Sequence, residues 1–173
     1  MNAAPTMTAF VLAGGGSLGA VQVGMLKALV HAGIAPDFVV GASAGAINAA
    51  YYAASPDLAG ISRLERIWLR LRRADVFPFS WAGTALCLLG RRTCLAQPHR
   101  LRALIEAELP FARLQDAALP CHVVATDALD GTEVVLSSGD AASALLASAA
   151  IPAVFPPVVV AGRALIDGGI GSN

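Results

Sequence analysis

The chain has 173 residues, enough for one domain of ordinary size, and 56% of them are apolar against 14% charged. Basic and acidic residues cancel to a formal net charge of zero, which excludes the broad basic footprint of a nucleic-acid binder. The three cysteines, Cys87, Cys94 and Cys121, are odd in number and lack paired spacing, which argues against a disulfide framework or a zinc site and fits a reducing cytoplasm.

In chain order, a strand is predicted over Ala9 to Leu12, a helix over Ala20 to Ala32 closed by Gly33, a strand over Phe38 to Val40 and a helix over Ala44 to Ala54. Continuous apolar strands alternating with helices predict an α/β fold, a mostly parallel sheet covered by helices on each side. A charged helix follows over Asp57 to Arg73, then a helix over Pro98 to Leu109. Strands over His122 to Thr126 and Glu133 to Leu136 lead to a helix over Asp140 to Ala149. Val158 to Val160 and Ala164 to Ile166 close the chain as a hairpin around Gly162-Arg163. No repeat, linker or domain boundary interrupts this series.

Two uncharged stretches, Met1 to Leu26 and Ala141 to Gly162, have the length of a membrane span. The first is broken by Gly14-Gly15-Gly16 and lacks the basic start of a secretory signal. The second holds Pro152, Pro156 and Pro157, which no continuous helix accommodates. A soluble cytoplasmic protein is expected. Phe77 to Cys94, with the run Ala85-Leu86-Cys87-Leu88-Leu89, reads either as a segment buried on the sheet, the commoner fate, or as an apolar lid over a lipid site. Arg63, Arg66, Arg70 and Arg73 form a basic stripe, solvated or in contact with anionic headgroups.

Three motifs carry chemistry. Gly41-Ala42-Ser43-Ala44-Gly45 lies between a strand and a helix, the setting of a nucleophile elbow that projects the Ser43 hydroxyl into a cleft. Small residues also suit close packing of helix on strand, so the pentapeptide alone leaves both readings open. Gly14-Gly15-Gly16-Ser17-Leu18-Gly19 follows the first strand, where its amides can face an anion at the start of a helix. It contains the GxGxxG of a dinucleotide site, and Asp37 lies near the distance of a ribose-binding acid. Asp37, however, precedes the second strand, whereas that acid belongs at the strand's carboxyl end. The alternative is an oxyanion hole, each donor of which is worth about 3 kcal/mol.

The hydroxyl needs a base. His31 and His99 sit on helices and His122 opens a strand at the end away from the motifs, so none is placed for a triad. Asp167 ends the strand Ala164-Leu165-Ile166 and is followed by Gly168-Gly169; it reads either as a carboxylate base or as a turn aspartate.

In order and spacing, the three glycine-containing motifs resemble the patatin-like phospholipases over nearly the whole chain, and Ala147-Ser148-Ala149-Ala150-Ile151-Pro152 through Phe155-Pro156-Pro157 is similar to the proline-containing stretch before that family's aspartate. The resemblance implies a three-layer α/β/α sandwich and lipid acyl hydrolase activity on phospholipid or other lipid esters, with no metal or organic cofactor. It implies Ser43 as nucleophile and Asp167 as general base without a histidine, Gly14, Gly15 and Gly16 as the oxyanion loop, and Gly41 and Gly45 as shapers of the elbow. Gly19, Gly168 and Gly169 complete the motifs, and transient contact with a membrane surface goes with such a substrate. Leu18 departs from the basic residue that many relatives carry there. Relatives continue beyond the aspartate, so residues 1–173 read as a single domain short of its C-terminal part. A catalytically weak or inactive acyl-binding domain of the same fold is the alternative.

Overall fold

The structure, a computed structural model, describes residues 7–72 and 98–171. Alternation of Phe10 and Leu12 toward the core with Ala9 and Val11 away from it defines β1, Ala9–Leu12. Helix α1, Gly19–His31, leads to β2, Phe38–Ala42, and then α2, Ala44–Ala54. Alanines let α2 lie close on the sheet: Ala46, Ala49, Ala50 and Ala53 are fully buried. Helix α3, Leu58–Arg70, is capped by Asp57, whose side chain accepts the Gly60 N–H. After α4, His99–Glu108, come β3, Cys121–Asp127, and β4, Glu133–Leu136. Helix α5, Ala141–Ser148, is capped by Asp140 and precedes the hairpin of β5, Val158–Val160, and β6, Arg163–Asp167.

The sheet is mixed. β1, β2 and β3 are parallel neighbours, as expected for strands linked through helices. β3 pairs antiparallel with β4 and with β6, and β6 antiparallel with β5. The reason is connection length: residues 128–132 between β3 and β4, and the turn at Ala161-Gly162, are too short for a crossover to a parallel strand. Val124 faces Ala42 of β2 on one edge and Val135 of β4 on the other, while Ala125 faces Asp167 of β6 and Val134 of β4. Hence β2 and β6 lie end to end along the same edge of β3, and their carboxyl termini meet. This junction positions the site.

Residues paired across β1, β2 and β3 share a face, so Phe10, Val39 and Val123 point together into a core shared with Tyr52, Ile61, Leu64 and Leu145. The Phe10 and Tyr52 rings lie 6.0 Å apart within it. On the opposite face Val11, Val135 and Val159 are exposed among the described residues. Cys121 is free and buried, and burial pushes its thiol pKa up to about 12, which leaves it an inert core group. Arg63, Arg66 and Arg70 lie on the exposed face of α3, as a solvated stripe would. Arg73 and the segment Phe77 to Cys94 lie outside the described residues.

Candidate active site

Ser43 joins β2 to α2 with φ of 55° and ψ of −125°, a left-handed backbone that a non-glycine residue adopts only under constraint. Close packing on both sides of the turn supplies the constraint. A Cβ on Gly41 would sit 2.5 Å from the Ala46 Cα, and one on Gly45 would strike the Leu12 carbonyl oxygen, so the elbow is pressed against β1 with no room for a methyl group. Both glycines of the elbow are therefore where the sequence motif requires them.

The Ser43 hydroxyl donates to Asp167 Oδ2 at 2.7 Å across 124 residues of chain. Both side chains are buried, at 8% and 5% exposure. Asp167 Oδ1 accepts the Gly169 N–H at 2.8 Å, so the carboxylate is aimed from both oxygens. The Asp167 backbone is held as firmly: its N–H donates to the Ala150 carbonyl at 3.0 Å and its carbonyl accepts the Thr126 hydroxyl at 3.1 Å. Gly168 packs under the Val124 carbonyl oxygen, which a side chain there would strike.

Gly14, Gly15 and Gly16 line one cleft with Ser43. A Cβ on Gly14 would lie 3.2 Å from Ser43 Cβ, and Gly16 has φ of 57° as the chain turns into the 3-10 segment Gly16–Leu18. Two amides fasten the ends of this loop: Gln22 Nε2 donates to the Ala13 carbonyl at 2.7 Å, and Asn48 Nδ2 donates to the Gly19 carbonyl at 2.8 Å. Asn48 is fully buried and also accepts the Trp68 indole N–H at 2.8 Å, so α1, α2 and α3 are tied behind the loop. Gly19 belongs to that tie rather than to the cleft: a Cβ there would lie 2.8 Å from the Trp68 ring.

Two cavities meet at Ser43. An open cleft of about 610 Å³ is lined by Gly14, Gly15, Gly16, Asp167, Gly169 and Ile170, with Glu133 on its wall. A second cavity of about 570 Å³ runs from Ser43 and Gly16 between α2, α3 and α4, past Ile47, Leu64, Trp68 and Ile105. Ile151 lines both.

Ser148, the last residue of α5, is a site residue that the motifs left unmarked. Its hydroxyl accepts the Ser43 N–H at 2.8 Å and donates to the Val124 carbonyl at 2.5 Å, and its carbonyl accepts the Gly168 N–H at 3.2 Å. The available signal was its place in Ala147-Ser148-Ala149-Ala150-Ile151-Pro152, the stretch similar to the one before the family's aspartate; within the helix Ala141–Ser148 it is one of two serines, with Ser143. None of the histidines reaches the site: His31 and His99 are exposed, and His122 lies beside Ser137 and the Phe38 ring at the start of β3. Asp37 accepts the Thr8 N–H at the amino ends of β1 and β2, which removes it from the glycine loop and ends the dinucleotide reading.

Fold and site together define an α/β protein with a serine and a carboxylate joined where strand ends converge. The chain belongs to the patatin-like phospholipase family, whose model matches residues 10–173. Neuropathy target esterase sws of Drosophila melanogaster and that of Drosophila persimilis are each 26% identical over 165 residues, 94% of this chain but 11% of theirs. Among solved structures, VipD from Legionella pneumophila matches with a TM-score of 0.65 at 18% identity, covering 98% of this chain and 47% of that one. ExoU in its complex with SpcU from Pseudomonas aeruginosa matches with a TM-score of 0.50 at 23% identity over 87% of this chain and 37% of its own. These likenesses give the fold, a mixed sheet with flanking helices in the three-layer α/β/α patatin-like class. No helix of the described residues is long and apolar enough to cross a membrane.

Proposed function

We propose that this chain is a serine lipid acyl hydrolase, a phospholipase or esterase that cleaves carboxylic esters of lipids through Ser43 and Asp167. The observation that carries the reading is the 2.7 Å hydrogen bond from the Ser43 hydroxyl to Asp167 Oδ2 on a strained strand-to-helix turn. Membership of the patatin-like phospholipase family and the esterase relatives support it.

Asp167 takes the hydroxyl proton as Ser43 Oγ attacks the ester carbonyl. The carbonyl oxygen, now anionic, is stabilised by the backbone amides of the loop Gly14, Gly15 and Gly16. Collapse of this intermediate breaks the ester C–O bond, and the leaving alcohol departs with the proton from Asp167. Water then attacks the acyl-serine and gives its proton to Asp167; that proton returns to Oγ as the free acid is released. The apolar cavity past Ile47 and Trp68 takes the acyl chain, and the open cleft takes the leaving alcohol of a phospholipid or other lipid ester. Approach to such a substrate involves transient contact with a lipid surface.

The test is hydrolysis of a p-nitrophenyl ester and of phospholipid vesicles by the wild type, Ser43→Ala and Asp167→Asn. Turnover by the wild type and a loss of about a thousandfold or more in each variant is expected. A folded wild-type protein that binds vesicles without hydrolysing either substrate would instead be an acyl-binding domain.

A further inference from the structure

The loop from Gly14 to Leu18 carries the backbone amides that the proposed reaction sets against the developing oxyanion, and three successive glycines give it little stiffness of its own. All three glycines are exposed. The carbonyls that flank the loop, those of Ala13 and Gly19, are the ones that Gln22 and Asn48 hold.

The two holding side chains are also bonded to each other, Asn48 Nδ2 donating to Gln22 Oε1 at 2.9 Å. One donor sets the direction of every bond in this series. The Trp68 indole N–H can only donate, so the Asn48 atom 2.8 Å from it is the amide oxygen. The two hydrogens of the Asn48 nitrogen are then taken up by the Gly19 carbonyl and Gln22 Oε1. That turns the Gln22 nitrogen toward the Ala13 carbonyl, 2.7 Å away. The peptide group is planar and trans, so fixing the Ala13 carbonyl also fixes the Gly14 N–H of the same group, in the opposite direction. A Cβ on Gly45 would lie 2.5 Å from that carbonyl oxygen, so the Gly14 N–H points away from both Gln22 and Gly45. It has no hydrogen-bond partner among the described residues.

We propose that Gln22 is a positioning residue for the oxyanion loop: oriented by Trp68 through Asn48, it holds the Ala13 carbonyl and so aims the amides from Gly14 onward at the oxygen that becomes anionic. This rests on reading Ser43 as the nucleophile of a hydrolase. Its mark is a loss of transition-state binding with no loss of ground-state binding.

The experiment compares the wild type with Gln22→Met and Gln22→Glu. Methionine keeps the length and helix preference of glutamine and loses both bonds, whereas glutamate keeps the acceptor for Asn48 and loses only the donation to Ala13. The quantities measured are kcat/KM on a p-nitrophenyl ester and the affinities for a long-chain trifluoromethyl ketone and for the primary amide of the same chain. Ser43 Oγ adds to the ketone carbon as its proton passes to Asp167, which leaves an oxyanion on the former carbonyl oxygen; the amide binds without one. In both variants kcat/KM and ketone affinity are expected to fall together by about ten- to a hundredfold, the order of a misplaced donor. Amide affinity should stay within about twofold. An equal fall for ketone and amide, an unchanged kcat/KM in either variant, or loss of the fold in both would overturn the proposal and leave the reading of Ser43 standing. A wild type that neither hydrolyses the ester nor binds the ketone more tightly than the amide would overturn that reading and the proposal with it.

Discussion

The hydroxyl of Ser148 accepts the backbone N–H of Ser43 at 2.8 Å, so a residue at the end of α5 fixes the turn that carries the candidate nucleophile. The carbonyl of Ser148 accepts the N–H of Gly168, next to Asp167, so the same residue spans both halves of the site. Ser148→Ala leaves the Ser43 N–H and the Val124 carbonyl without this partner in a dry interior. A stability loss of about 1–3 kcal/mol is expected in denaturant titration. Hydrolysis per folded molecule should fall about tenfold or more, because a shift of about 1 Å between nucleophile and base costs at least that much. A variant that is less stable but keeps the wild-type rate would assign Ser148 to folding alone.

The backbone of Ser43 makes a separate prediction. Its φ of 55° disfavours any residue with a Cβ, whatever its side-chain chemistry. Ser43→Gly and Ser43→Ala both delete the hydroxyl, but only glycine relieves the turn. The glycine variant should be the more stable by about 1 kcal/mol after its greater unfolded-state entropy is counted. Equal melting temperatures for the two would mean that the turn carries no strain.

Packing at the elbow can be read by contrast with an open helical glycine. Gly45→Ala drives a methyl group into the Leu12 carbonyl oxygen and should cost about 3 kcal/mol or prevent folding. A Cβ added to Gly24, which is exposed on α1, would meet nothing within 4 Å, so Gly24→Ala should stabilise by about 0.5–1 kcal/mol. Thermal denaturation of the two variants should move in opposite directions.

Acid should weaken the fold through carboxylates outside the site. Asp57 is held below the usual carboxylate range by the Gly60 amide, Asp127 by the Leu129 amide and then Arg163, and Asp140 by Ser143. Folded-state pKa values lowered in this way contribute stability that is complete above the unfolded value and is lost as pH falls through the folded one. The melting temperature is therefore expected to be level near neutrality and to fall below about pH 5. Asp127→Asn should lower the neutral value and flatten the acid decline.

Much of this organisation was legible in the sequence. Ala9–Leu12, Ala44–Ala54, Glu133–Leu136 and Val158–Val160 form with the bounds their patterns predict, because apolar runs and the glycines and prolines around them are local signals. The glycine motifs placed Ser43 and Asp167 on strand ends for the same reason. Strand order was less legible, since the end-to-end meeting of β2 and β6 depends on contacts far apart in the chain. The short connection between β3 and β4 did carry a readable sign of antiparallel pairing. Asn48 was hidden because a single amide on an alanine-rich helix has no motif, and Ser148, though inside the family-like stretch Ala147 to Pro152, carried no sign of its role; only its partners reveal what each does.

The most direct measurement is mass spectrometry of the folded protein after treatment with a fluorophosphonate, comparing the wild type with Ser43→Ala and Asp167→Ala. A single adduct on Ser43, absent from Ser43→Ala and formed far more slowly in Asp167→Ala, is the expected result. No adduct on the folded wild type, or labelling of Ser43 at the same rate without Asp167, would contradict the assignment of the pair as nucleophile and base.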